Sequence, residues 1–107
     1  MTYKQVTDRM QALQRELMKL GMETLVLFRK VKDKGSYGAR DAYGMLQNLH
    51  SNIQNRHRRI REVLLYFEGH SPNEKCDGVA MAALSELEEA LDRYRKDYEY
   101  ALGRSRI

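Results

Sequence analysis

Apolar residues recur along this chain at alternating spacings of three and four, in three separate blocks. The first block runs from about residue 2 to 34. In it Val6, Met10, Leu13, Leu17, Leu20, Thr24, Leu27 and Val31 fall on one line. An α-helix turns once every 3.6 residues, so a 4-3 alternation keeps these side chains on one stripe, as in a coiled-coil seam. The second block, about 41–68, repeats the pattern with Leu46, Leu49, Ile53, Arg56, Ile60, Val63 and Phe67. The third, about 78–102, does so with Ala80, Leu84, Leu87, Leu91, Tyr94, Tyr98 and Ala101. A half-buried strand would need alternation of period two, and no segment shows it.

The boundaries carry helix punctuation. Thr2 followed by Gln5 three residues later fits a capping box. Asp41 is the expected cap of the second helix, with Ser36 an earlier alternative, and Asp77 that of the third. Gly103 is the expected terminator of the third helix. Gly21 interrupts the first helix at a cost of about 1 kcal/mol relative to Ala, and so marks a bend or a close helix contact. The stretch from Lys32 to Gly38 is polar with two glycines, and that from Gly69 to Gly78 holds the only proline. Both read as turns. The expectation is an all-α, single domain over residues 1–107: an antiparallel up-down-up bundle of three long helices with coiled-coil-like heptad seams.

Composition narrows the function classes. The chain has 107 residues, one Pro, one Cys and no Trp. That length suits one domain, and so little proline permits long helices. A single Cys excludes a disulfide framework and a Cys-rich zinc site, and points to a reducing, cytoplasmic setting. No run approaches the ~18 apolar residues that a membrane span needs, and the first residues lack an apolar signal core. The formal net charge of +4 is uneven, at +4 over residues 1–34, +2 over 35–70 and −2 over 71–107.

Some residues exceed what the seams require. Met18, Met22 and Leu25 form a further apolar stripe on the first helix. A helix touching two neighbours needs a broad apolar face, but flexible methionines also suit an adaptable interface. Tyr37, Arg40 and Tyr43 lie among glycines in a segment read as a contact loop, since tyrosine pairs apolar area with a polar tip. The densest basic stretch supplies Arg56, Arg58, Arg59 and Arg61, which with Lys30 and Lys32 form a candidate phosphate-binding set. These arginines do not share one helix face, however, and no recognition helix or stacking aromatics accompany them.

Catalytic and metal chemistry has little to stand on. His50 and His57 share a helix face but are two turns, about 10 Å, apart. His70 and Cys76 share a turn without a third group to orient them. No enzyme activity, metal, cofactor or small-molecule substrate is expected. The reading is a non-enzymatic protein-protein interaction module, a small adaptor, inhibitor or regulator. Its contacts would be Met18, Met22, Leu25, Tyr37, Arg40 and Tyr43, with another protein or a second copy of itself as partner. Nucleic-acid association through the basic stretch is the alternative.

Overall fold

The computed structural model describes residues 1–107 and contains three helices: α1 from Tyr3 to Lys32, α2 from Tyr37 to Glu68 and α3 from Gly78 to Ser105. They lie side by side in a bundle of 55 × 17 × 16 Å. The end of α3 meets the start of α2 through the Arg104–Asp41 ion pair, and the start of α1 meets the α2–α3 link. Neighbours in sequence are therefore antiparallel, as the short links required.

The seams form the core. Every seam position predicted on α1 is buried, including Thr24, whose hydroxyl donates to the Leu20 carbonyl at 2.8 Å. On α2 the aliphatic seam is buried, while Arg56 and Val63 are half-buried. On α3 the seam from Ala80 to Ala101 is buried except for a half-buried Tyr98. Full removal of one such Leu or Ile from water is worth about 1.5–3 kcal/mol.

The termini of the helices show what local pattern does and does not decide. Thr2 and Gln5 make the predicted capping box, with reciprocal bonds of 3.2 and 3.0 Å. Asp77 caps α3, its Oδ1 accepting from the Ala80 N–H at 2.9 Å. Asp41 does not cap α2. Ser36 does, accepting from the Ala39 N–H at 3.2 Å, and α2 starts four residues before the expected boundary. The Tyr37–Gly44 segment is consequently helix and not a contact loop. Gly103 does not end α3, which continues to Ser105 with Arg106 as its C-cap. The last turn of α3 is held by tertiary packing. Gly38 lies so close to it that a Cβ there would overlap the Arg104 carbonyl oxygen and sit 2.9 Å from the Ile107 Cβ. Gly21 is the close helix contact: a Cβ on it would stand 3.3 Å from the Ile53 Cγ2.

The α2–α3 link does more than turn the chain. The first N–H groups of any helix lack intrahelical partners. Here Tyr3 N–H donates to the Glu74 carbonyl at 2.9 Å and Lys4 N–H to the Pro72 carbonyl at 3.0 Å. In return Cys76 N–H donates to the Met1 carbonyl at 2.9 Å. The link thereby caps α1 and closes that end of the bundle.

Candidate functional site

Between α1 and α2, on a side to which α3 contributes no residue, runs an open groove of about 430 Å³. Gln14, Met18, Gly21, Met22 and Leu25 line it from α1, and His50, Gln54, His57 and Arg61 from α2. Its two walls follow the seams. Gln14, Met18, Gly21 and Leu25 repeat the 4-3-4 spacing of Leu13, Leu17, Leu20 and Thr24 one residue later. His50, Gln54, His57 and Arg61 do the same behind Leu49, Ile53, Arg56 and Ile60. A row displaced by one residue is rotated about 100° from the seam, so it leaves the core at the edge where two helices meet. The close approach at Gly21 sets the floor.

The predicted apolar stripe is thus gathered in one place. Met18 is 55% and Met22 69% exposed, whereas Leu25 is half-buried. Sequence reasoning missed the opposite wall. Read along the chain, His50 and His57 suggest a metal pair and Arg61 a basic run, and neither reading points across to α1. The displaced 4-3-4 row was the signal available for all of them. His57 has its pKa held below the ordinary 6.5, first by burial and then by repulsion from the Arg61 guanidinium. The neutral imidazole is therefore favoured there.

The tyrosine and arginine candidates are dispersed. Tyr37, 76% exposed, and Arg40 stand on the first turn of α2, beyond the end of the groove. Tyr43, two turns before His50, stacks on Phe28 with ring centroids 4.6 Å apart. The basic set is divided too. Arg59 pairs with Glu62 at 3.7 Å, Arg56 is half-buried, Arg58 is exposed and Arg61 enters the groove. Lys30 and Lys32 lie in the last turn of α1, next to the start of α2. Arg56 is 19 residues further along α2, or about 28 Å at the helical rise. The two lysines and the four arginines therefore lie at separate places along the bundle.

At the opposite end, the aromatic and titratable residues are occupied in holding the link. The His70 ring stacks on Tyr3 with centroids 4.2 Å apart, and its Nδ1 contacts Glu74 at 2.9 Å. Tyr66 donates its hydroxyl to Asp77 at 3.0 Å. That bond raises the Tyr66 pKa, while the Ala80 N–H lowers that of Asp77. Cys76 is buried within the main core cluster and makes no pair with His70. No three His, Cys, Asp or Glu side chains converge as a metal would require, and no helix is long and apolar enough to cross a membrane. Compared with protein-family models, curated proteins and solved structures, the chain matches none.

Proposed function

We propose that this chain is a protein-protein interaction module, acting as a small adaptor, inhibitor or regulator, and that the α1/α2 groove receives its partner. The observation that carries this reading is the exposure of Met18 and Met22 within a concave surface shared with Leu25. Exposed apolar side chains gathered in one groove are a poor use of surface unless another molecule covers them. Methionine fits such a role, because its unbranched thioether adapts to the shape of what binds. A helix laid into a groove between two helices is a recurrent way of building such an interface. The dispersal of the arginines favours a protein partner over nucleic acid, which would need several cations along one path.

Affinity capture from the native cell tests this reading, with the wild-type chain run beside a Met18→Glu/Met22→Glu chain. Both substitutions fall at exposed positions, so helicity by circular dichroism should be unchanged. The expected result is a partner retained by the wild-type chain and lost by the double variant. Equal capture by both would overturn the assignment of the groove.

A further inference from the structure

We infer that the occupant of the α1/α2 groove is an acidic amphipathic helix of another protein. This rests on the reading of the groove as a docking surface and adds the chemistry of what docks. The argument is one of charge sorting. No carboxylate lines the groove. Along α2 there is no Asp or Glu from Ala42 to Arg61. The acids in the middle of α1 are turned the other way. Glu16 pairs with Arg95 of α3 at 3.1 Å, and Glu23 lines the groove between α1 and α3. The acidic third helix thus answers one side of α1, and Arg61 is left as the one charged side chain lining the α1/α2 groove. Arg61 has no ion-pair partner within the chain.

Dimensions add to this. Met18 and Leu25 are seven residues apart, about 10.5 Å along the axis. A partner helix presents apolar anchors at i, i+3 or i+4, and i+7 over the same length. Carboxylates flanking those anchors would meet the Arg61 guanidinium and could accept hydrogen bonds from the His50 and His57 rings. A second copy docked through the same face is disfavoured, because a twofold interface sets like patches against each other and would offer Arg61 no carboxylate from the facing groove. Nucleic acid is disfavoured by the methionines and by a single cation in the groove, where a phosphate backbone would need several along one path.

The test uses the intact chain and three fluorescent helical peptides. They carry identical Leu anchors at i, i+4 and i+7, and differ in having Glu, Gln or Lys at the flanking positions. Anisotropy titrations are run beside a generic RNA duplex and vesicles of phosphatidylserine. The expected result is that the Glu peptide binds at least ~10-fold more tightly than the Gln peptide, and the Lys peptide not at all. Arg61→Glu and Met18→Glu/Met22→Glu should each weaken the Glu peptide ~10-fold or more. Its affinity should also fall several-fold between 50 and 300 mM salt, as the screening length drops below about 10 Å. Preferential binding of the Gln or Lys peptide, abolished by the methionine substitutions, would overturn the acidic partner and leave the docking groove standing. Failure of all three peptides would overturn the acidic-helix assignment, while capture by the wild-type chain alone would still support the groove. Tighter binding of the RNA or the vesicles, sensitive to Arg61→Glu, would overturn the assignment in favour of that ligand.

Discussion

Three glycines inside helices of this bundle allow tertiary contact to be separated from helix propensity. Gly38, Gly21 and Gly44 all lie in α1 or α2, so replacing any of them with Ala removes the same kind of backbone penalty, about 1 kcal/mol in a helix interior. Their surroundings differ. A Cβ at Gly44 meets nothing within 4 Å, one at Gly21 meets the Ile53 Cγ2 at 3.3 Å, and one at Gly38 overlaps the Arg104 backbone. Gly44→Ala should therefore stabilise by about 0.5–1 kcal/mol. Gly21→Ala should be near neutral, because a methyl that must yield a few tenths of an ångström offsets most of the gain. Gly38→Ala must move the last turn of α3, a forced repacking of about 1–3 kcal/mol that exceeds the propensity gain. The net expectation is a loss of up to about 2 kcal/mol, or up to several degrees in Tm for a chain of this size. Urea and thermal unfolding followed by circular dichroism measure all three. The reasoning would be refuted if Gly38→Ala proved as stabilising as Gly44→Ala, since the start of α2 would then not be pressed against the end of α3.

Other outcomes follow from single residues. Leu17 is fully buried, so Leu17→Ala should cost about 2–5 kcal/mol in chemical denaturation, whereas Met18→Ala next to it should stay within about 0.5 kcal/mol. A large loss at Met18 would show that it holds the fold together and is not reserved for a partner. The Asp77 carboxyl has its pKa below the ordinary 3.8, chiefly through the Ala80 N–H. Its stabilising contribution is present above that ordinary value and is lost as pH falls through the lower folded one. Asp77→Asn, which keeps a capping oxygen, should flatten this part of the acid unfolding curve. His57 has a depressed pKa, so the unfolded chain takes up that proton first as pH drops below 6.5 and stability declines from there. An NMR titration should place the His57 midpoint below 6.5 and move it upward in Arg61→Gln. An unmoved midpoint would remove Arg61 from the neighbourhood of the ring.

Much of this architecture is a local property of the chain. The 4-3 spacing specifies a helix and its buried face through the 3.6-residue turn alone, and every seam residue predicted on α1 is in the core. Thr2 and Asp77 cap as expected because an N-cap needs only its own side chain and a backbone N–H three residues on. Departures occur where a neighbour in space overrides the local signal. Gly103 is a weak helix former, yet α3 runs through it because the contact with Gly38 and the Arg104–Asp41 pair hold the final turn. Asp41 is drawn into that same pair and leaves the cap to Ser36.

The groove divides in the same way. Its two rows were present in the order of residues, each one position behind a seam. Periodicity alone assigns a residue to an angle around its own helix, and Met18, His57 and Arg61 each sat at a definite angle before any packing was considered. Which helix stands across from that angle is not a property of one segment. Only the tertiary arrangement set α1 against α2 along those rows and turned Glu16 and Glu23 towards α3. The packing thereby placed a methionine-lined groove, with Arg61 as its one charged residue, on one side of the bundle and the Glu16–Arg95 ion pair on the other. The physical reason is that secondary structure is written in contacts three or four residues apart, whereas a surface is made by side chains that meet from distant parts of the chain.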